Sequence, residues 1–181
     1  MRISVESPRS PDVIALLEEH LLDMHAASPA ESVHALDVRA LDLPSVIFLC
    51  ARSQTDGALL GVGALQVHAD GTGEVKSMRT AAHARGRGVG AAILEEIVAT
   101  ARTRGLRALN LETGTHASFA AAHRLYRRHG FSRRGPFAHY TQDPHSTYFG
   151  LTLFPSGVSS SQDSTTQPPG TVATPPSDTL L

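Results

Sequence analysis

The chain has 181 residues, a formal net charge of −1 and a single cysteine. This length fits one domain with a substantial core, and the near-neutral charge gives no reason to expect nucleic acid or an acidic membrane surface as a partner. One cysteine excludes an internal disulfide and favours a reducing, cytoplasmic compartment, and the sequence shows neither a secretory pattern nor an apolar run approaching the roughly 20 residues of a membrane span.

The N-terminal part predicts a strand followed by an amphipathic helix. Arg2 to Glu6 is expected to form the strand. Ser10-Pro11-Asp12 is typical of a helix start, with Ser10 as N-cap and Pro11 as the first helical residue. Apolar residues then recur on one helical face at Val13, Leu16, Leu17, Leu21 and Met24.

Two further strands are predicted after an irregular segment from Ala26 to Pro44. They span Ser45 to Ala51 and Ala58 to Val67, joined by a turn that ends in Asp56-Gly57, a strong hairpin signal. Cys50 follows four apolar residues, so we predict a buried strand residue rather than a nucleophile.

The stretch from Gly73 to Gly105 is predicted to contain a strand, a turn, a glycine-rich loop and a helix. Glycines at 86, 88 and 90 leave the loop backbone open, and the helix that follows adds the partial positive charge of its N-terminus. Arg85 and Arg87 alternate with these glycines and supply fork-shaped donors suited to phosphate oxygens. The loop therefore predicts a phosphate site, although a simple flexible turn is the alternative.

Two phosphate ligands are compatible with this loop. The spacing Gly86-x-Gly88-x-x-Ala91 loosely fits a dinucleotide fingerprint, with Glu112 near the distance expected for the ribose contact. Against that reading, six residues separate the strand from the first glycine, and the strand itself carries Lys76, Ser77 and Arg79, which are too polar for a central parallel strand. The second reading is the pyrophosphate loop of an acyl-CoA enzyme.

The remaining elements are a fifth strand, a helix and a final pair of strands. Ala108 to Glu112 is the strand, and Ser118 to His129 is the helix, ended by Gly130. Phe131, Pro136-Phe137 and Ser146 to Phe154 are expected to supply the last strands. Residues 155–181 contain five prolines, six serines and five threonines without a Lys, Arg, His or aromatic residue, a composition that predicts a disordered tail.

Two motifs in order resemble the GNAT acetyltransferase superfamily. Arg85-x-x-Gly88-x-Gly90 matches its Arg/Gln-x-x-Gly-x-Gly/Ala signature, and Ala122-x-x-Leu125-Tyr126-x-x-x-Gly130-Phe131 matches its second motif. The resemblance covers residues 1–154. It implies an α/β fold with a twisted, mixed sheet of about seven strands flanked by about four helices.

The resemblance also implies acetyl-CoA as acyl-donor co-substrate. The pyrophosphate would be held by the loop residues Arg85, Gly86, Arg87, Gly88, Val89, Gly90 and Ala91. Backbone groups of Met78 and Thr80, with Arg79 between them, would pair with the pantetheine arm. The N–H of Met78 would point to the thioester carbonyl and stabilise the oxyanion.

The family pattern further assigns two catalytic candidates. Glu74 lies eleven residues before Arg85, where histone-type members carry their general base; the alternative is a strand-end carboxylate that only attracts a cationic substrate. Lys76 should share its strand face, and an ion pair there would weaken Glu74 as a base. Tyr126 is the candidate acid for the departing thiolate, or otherwise a core aromatic. Phe119 replaces a family asparagine, so that contact with the CoA arm is not expected.

The acceptor side is less defined. By resemblance, Glu31, His34 and Asp37 of the segment after the first helix become candidate substrate contacts; a capped, solvated loop or short helix is the alternative. Glu112, at the end of the fifth strand, is a further candidate substrate contact. Ten scattered histidines show no convincing ligand spacing, so we expect no metal. The resulting hypothesis is direct acetyl transfer to a primary amine of a small molecule or peptide. A non-catalytic CoA sensor, or transfer to a non-amine acceptor, remains the alternative, and a monomer and a homodimer are both compatible.

Overall fold

The fold is a seven-stranded mixed sheet flanked by helices, as the sequence predicts. The computed structural model describes residues 1–27, 29, 32 and 37–154. In chain order the elements are β1 Arg2–Val5, α1 Pro11–Ala27, α2 Val38–Leu41, β2 Val46–Arg52, β3 Leu59–Val67, β4 Thr72–Thr80, α3 Val89–Thr103, β5 Ala108–Gly114, α4 Ala120–Arg128, β6 Ser132–Arg134 and β7 Ser146–Thr152. The strand order is β1-β2-β3-β4-β5-β7-β6.

One parallel pairing joins two antiparallel halves of the sheet. Strands β1 to β4 pair antiparallel with their neighbours, as do β5, β7 and β6. Between the halves, β4 and β5 run parallel. They form only three residue pairs, in which Thr72–Glu74 lies opposite Ala108–Asn110. Both strands continue well beyond these three pairs, so they separate and leave a gap at their C-terminal ends.

The core has two layers because strand residues alternate between the sheet faces. On β2, Ile47, Leu49 and Ala51 join a cluster with α3, whereas Phe48 and Cys50 join one with α1. Helix α3 presents the predicted apolar stripe, buried at Val89, Ile93, Leu94, Ile97, Val98 and Ala101. Each fully buried Leu or Ile side chain contributes about 1.5–3 kcal/mol. Cys50 is buried as predicted, and burial raises the pKa of its thiol to about 12.

Glycines delimit helix α3 where the sequence places them. Gly88 caps its N-terminus with φ of +80°, and Gly105 follows its C-terminus with φ of +71°. Left-handed backbone is costly for residues with a Cβ, which explains glycine at both positions. The second-motif helix differs slightly from prediction, because a 3₁₀ turn at Ala117–Phe119 precedes α4.

Some predictions fall outside the described residues. Glu31 and His34 do, and so does the tail at 155–181. Among the residues that the structure describes, no group of three or more His, Cys, Asp and Glu side chains that could hold a metal is found. No helix within the described ranges is long and apolar enough to cross a membrane.

Candidate active site

A β-bulge interrupts strand β4 beside the gap. The register with β3 runs from Ala64↔Lys76 to Val62↔Arg79, so two residues of β4, Ser77 and Met78, lie opposite one residue of β3. Ser77 adopts a φ of +53°, which is uncommon for a residue with a side chain. A bulge bends its strand and re-aims the following residues. Here it directs the end of β4 away from β5.

The bulge depends on a glycine in the neighbouring strand. A Cβ on Gly63 would lie 2.6 Å from Ile93 Cγ2 and 2.7 Å from Met78 Sδ. Gly63 therefore leaves the space in which the Met78 side chain packs against α3. The close approach fixes Met78 at the point where the strands separate.

The gap between β4 and β5 forms a cleft, which is lined by residues from the helices on both faces of the sheet and from the two strands. Helix α1 contributes His20 and Met24, and the α4 region contributes Phe119, Ala122 and Tyr126. The strands supply the rest of the lining: Glu74, Val75, Lys76, Ser77 and Met78 from β4, and Glu112, Thr113 and Gly114 from β5.

A groove of about 700 Å³ runs from this cleft to the N-terminus of α3. Its volume is within the usual range for a ligand site. Most of the predicted cofactor-binding residues line it: Met78, Arg79, Thr80, Arg85, Gly86, Gly88, Val89, Gly90 and Ala91. Arg87 is exposed and does not line the groove.

The geometry of the groove, considered without the sequence motif, fits the diphosphate of an acyl-CoA. With Gly88 as N-cap, the four N–H groups that lack an acceptor within the helix belong to Gly88, Val89, Gly90 and Ala91. All four residues line the groove. No atom lies within 4 Å of where a Cβ on Gly86 or Gly88 would be, so the backbone there is open to a ligand. Four donors and a helix N-terminus suit an anion.

The side chain of Arg79 forms ion pairs with helix α1. Its Nη2 lies 2.7 Å from Asp23 Oδ2 and 3.5 Å from Glu19 Oε2, both on α1. The hydrogen bond from Arg79 lowers the pKa of Asp23. Because these acids hold the guanidinium against α1, Arg79 has mainly its backbone left for a ligand in the groove.

Glu74 lies in a buried cluster on the α1 face of the sheet. Its side chain is 1% exposed, and its Oε1 accepts hydrogen bonds from Lys76 Nζ at 2.8 Å and from the Tyr140 hydroxyl at 2.7 Å. Lys76 Nζ also donates to the Tyr140 oxygen at 2.9 Å. The ion pair expected from the shared strand face is therefore present. Burial, and then the Glu74 carboxylate, raise the pKa of Tyr140.

Glu112 lines the same cleft in different surroundings. It is half-buried on β5, and its Oε1 accepts a hydrogen bond from Ser146 Oγ at 2.6 Å. Burial raises the pKa of its carboxyl, and the Ser146 hydrogen bond and the charge of Lys76 oppose that rise. The site thus holds two carboxylates on neighbouring strands and the amine of Lys76, which is bonded to Glu74.

Tyr126 projects from α4 to the junction of groove and cleft, and it lines both. Its ring packs against Phe131 and Phe149 with centroid distances of 5.9 and 6.0 Å. The hydroxyl makes no hydrogen bond to any residue of the described part of the chain. Burial raises the pKa of the phenol, and the charge of Glu112 adds to the rise. The hydroxyl is therefore a neutral donor at physiological pH.

His20 is a site residue that the sequence analysis missed. His20 lies four residues after Leu16 and four before Met24, so it shares the apolar face of α1. That position is the signal in the sequence by which it could have been identified. Burial, and then the charge of Arg79, lower its pKa to about 4. His20 is consequently neutral near pH 7 and adds no charge to the cleft.

Comparisons with known proteins agree with this geometry. The family model of the Acetyltransferase (GNAT) family matches residues 13–131. The uncharacterised N-acetyltransferase YedL of Escherichia coli is 47% identical over 152 residues, covering 83% of this chain and 94% of that protein. YsnE of Bacillus subtilis, also named an uncharacterised N-acetyltransferase, is 40% identical, covering 82% and 97%.

Solved structures show the same fold. A crystal structure from Klebsiella pneumoniae, assigned as an acyl-CoA N-acyltransferase, has a TM-score of 0.70 and 31% identity and covers 84% of this chain and 97% of its own. An acetyltransferase structure from Salmonella typhimurium, solved with acetyl-CoA, has a TM-score of 0.63 at 18% identity, covering 85% and 94%. The groove, the cleft and these matches together establish that the chain belongs to the GNAT acetyltransferase family and is an acyltransferase.

Proposed function

We propose that the protein transfers an acetyl group directly from acetyl-CoA to a primary amine of a small molecule or peptide. The observation that carries this proposal is the junction at Met78 and Tyr126. Both residues line the anion-suited groove and also the carboxylate-bearing cleft. A donor bound in the groove and an acceptor bound in the cleft would therefore meet beside the Tyr126 hydroxyl. The names of YedL and YsnE, N-acetyltransferases both, support the choice of nitrogen as acceptor.

The loop and the start of α3 hold the donor. The N–H groups of Gly88 to Ala91 and the guanidinium of Arg85 bind the diphosphate, and the backbone of Met78 and Thr80 pairs with the pantetheine arm. Acetyl-CoA supplies the activated acyl group when bound. The bulge at Ser77 and Met78 orients a backbone donor to the thioester carbonyl, where stabilising the developing negative charge is commonly worth about 3–4 kcal/mol.

The residues of the cleft take up the proton of the acceptor and attract its positive charge. Glu74 accepts the proton that an ammonium must lose before its nitrogen can attack, directly or through water. Glu112 orients the incoming ammonium. Two carboxylates outnumber the single ammonium of Lys76 in the cleft lining, so the cleft attracts a cationic acceptor. Tyr126 donates its phenolic proton to the departing thiolate.

Two measurements test this function. Calorimetry should detect binding of CoA to the folded protein, and thiol release from acetyl-CoA should rise with at least one member of a panel of polyamines, amino acids, aminoglycosides and peptides. Glu74→Gln should lower kcat on that amine by about 100-fold or more. Glu96→Gln, on the exposed face of α3, is the matched control and should keep wild-type rates. Absence of CoA binding would overturn the proposal, and tight CoA binding without turnover on any amine would favour the sensor.

A further inference from the structure

The second carboxylate oxygen of Glu74 faces a histidine on the far side of the cluster. Oε1 is occupied by Lys76 and Tyr140, whereas Oε2 lies 3.3 Å from Nε2 of His68. Both atoms are buried, and neither has a hydrogen-bond partner in the described part of the chain. Two unsatisfied buried polar atoms in contact are rare in folded proteins and call for an explanation.

Strand register places His68 there. Glu74 pairs with Gln66 across β3 and β4, and His68 lies two residues beyond Gln66, on the same face. Its backbone N–H donates to Thr72 O at 2.9 Å, which closes the hairpin and holds the backbone that carries the ring. The juxtaposition therefore follows from the register of the β3–β4 hairpin.

His68 also reaches a cavity that is distinct from the substrate cleft. Its side chain is 23% exposed, against 1% for Glu74. The cavity has a volume of about 440 Å³ and is lined by His68, Asp70, Thr72, Asn110, Arg134 and Phe137, among others. Neither Glu74 nor any other residue lining the cleft lines this cavity. The imidazole thus stands between the buried carboxylate and a second opening to solvent.

We propose that His68 carries the proton from Glu74 out of the site through this second cavity. The inference rests on the proposed function, in which Glu74 accepts the proton of the acceptor ammonium. The N–H bond of the acceptor breaks and an O–H bond forms on Glu74. That O–H bond then breaks as Nε2 of His68 takes the proton, and the imidazolium loses its Nδ1 proton to solvent. The ring then turns toward the second cavity, where water takes the Nε2 proton and returns one to Nδ1, which restores the starting tautomer.

The relay explains how an ion-paired carboxylate can serve in repeated turnover. A donor and an acceptor seated in the cleft would exclude bulk water from it, so a proton left on Glu74 would need another way out. Lys76 as an ammonium only donates, and the Tyr140 hydroxyl already donates to Glu74 and accepts from Lys76. His68 is the neighbour with an accepting nitrogen. The 3.3 Å separation is of the kind that shortens in a substrate complex.

Several charged groups face His68 and enter any pH dependence. They are Glu74 and Lys76 on β4, Asp70 in the hairpin turn, and Arg134 on β6, with the Tyr140 hydroxyl beyond Glu74. Any measured pH dependence of the relay therefore reports on this group of side chains together.

Chemical rescue tests the relay in the full chain. His68→Ala should lower kcat by about 10- to 100-fold on the amine that wild type acetylates, with KM for acetyl-CoA changed by less than about threefold. Added imidazole, which the enlarged cavity can admit, should restore kcat by at least about fivefold and leave wild type unaffected. His83→Ala, an exposed histidine outside the site, should behave as wild type with and without imidazole.

The outcomes separate the two proposals. Wild type without activity on any amine overturns the proposed function. Active wild type together with unchanged kcat in His68→Ala, or a loss that imidazole does not reverse, overturns the relay alone. If the alanine variant does not fold, His68→Gln takes its place, since an amide keeps the volume but carries no proton; it should lose kcat similarly, and wild-type kcat in that variant would overturn the relay.

A readout independent of activity comes from NMR of the wild-type protein. The ring ¹⁵N signals of His68 and the carboxyl ¹³C signal of Glu74 should change together over one pH range, because the two groups share a proton. In Glu74→Gln the His68 ring signals should follow a different curve. Identical His68 curves in wild type and in that variant would show that the two groups are uncoupled and would overturn the proposal.

Discussion

At the scale of residues, two glutamates on adjacent strands differ in how they are held. Glu74 is enclosed by an ammonium and a phenol, and Glu112 by one hydroxyl in a half-buried position whose burial raises its pKa. Opposite environments of this kind assign different tasks to chemically equal groups. The donors around Glu74 hold its carboxylate in place but oppose proton uptake, so the proposed base role needs a route that carries the proton away, whereas the proposed role of Glu112 is to bind the acceptor.

The hydroxyl of Tyr126 can be removed without disturbing its ring. Tyr126→Phe keeps the contacts with Phe131 and Phe149 and deletes a group that bonds to no residue in the described part of the chain. We expect kcat to fall by about 100-fold, with KM for acetyl-CoA and the melting temperature almost unchanged. Steady-state thiol release and a thermal melt measure both effects. A wild-type kcat in this variant would restrict Tyr126 to a packing role.

His20 predicts a pH dependence of folding stability. Burial, followed by the charge of Arg79, lowers its pKa to about 4 in the folded protein, against about 6.5 in the unfolded chain. The unfolded chain therefore binds the extra proton between these values, so the contribution of His20 to stability falls as pH drops from about 6.5 to about 4. One proton limits this slope to about 1.4 kcal/mol per pH unit.

Replacing His20 should remove that contribution. In denaturant unfolding between pH 7 and 4, His20→Gln should lose less stability on acidification than wild type. His25, on the same helix but exposed, provides the control, because His25→Gln should follow the wild-type curve. Parallel curves for wild type and His20→Gln would show that His20 does not titrate as its burial implies.

At the scale of elements, the loop before α3 places its two arginines differently, although both alternate with glycines in the sequence. Arg85 lines the groove and Arg87 does not. Arg85→Ala should therefore weaken CoA binding by about 1–3 kcal/mol, the usual loss for a charge-assisted hydrogen bond. Arg87→Ala should have a smaller effect. Isothermal titration with CoA compares them directly, and a larger loss at Arg87 would show that the loop turns when the ligand binds.

Local patterns predicted the elements, and long-range register determined the site. The glycines and arginines at 85–90 and the apolar stripe of α3 predicted the loop and its helix, because caps and periodicity act within a few residues. The bulge at Ser77 and Met78 was not predicted, since it depends on how β4 aligns with Gly63. The bond between Tyr140 and Glu74 was not predicted, because it joins positions 66 residues apart. His68 carried no local signal at all.

At the scale of the whole molecule, the site exists because the two halves of the sheet are joined by three residue pairs. The gap beyond Glu74 opens the sheet to both faces, with α1 on one side and α3 and α4 on the other. In the proposed function, donor and acceptor approach from different sides and meet at Met78 and Tyr126, which line both openings. The same arrangement leaves Glu74 within the sheet, where its charge must be balanced by Lys76.

The boundary of the folded unit gives the last prediction. The core of the described region ends at Leu153, which is 7% exposed and packs in the α3-side cluster. Residues 155–181 are rich in proline, serine and threonine and contain no aromatic side chain, so they have little apolar surface to bury. We therefore expect a chain ending at Phe154 to keep the wild-type melting temperature and kcat.

A second truncation makes this test specific. A chain ending at Thr152 removes only two further residues but deletes the buried Leu153, whose loss should destabilise the fold by about 2–4 kcal/mol. Thermal and urea unfolding of the three chains measure the difference. If the chain ending at Phe154 already lost stability comparable to the shorter one, the C-terminal segment would belong to the folded domain, and the assignment of residues 1–154 as the complete unit would be wrong.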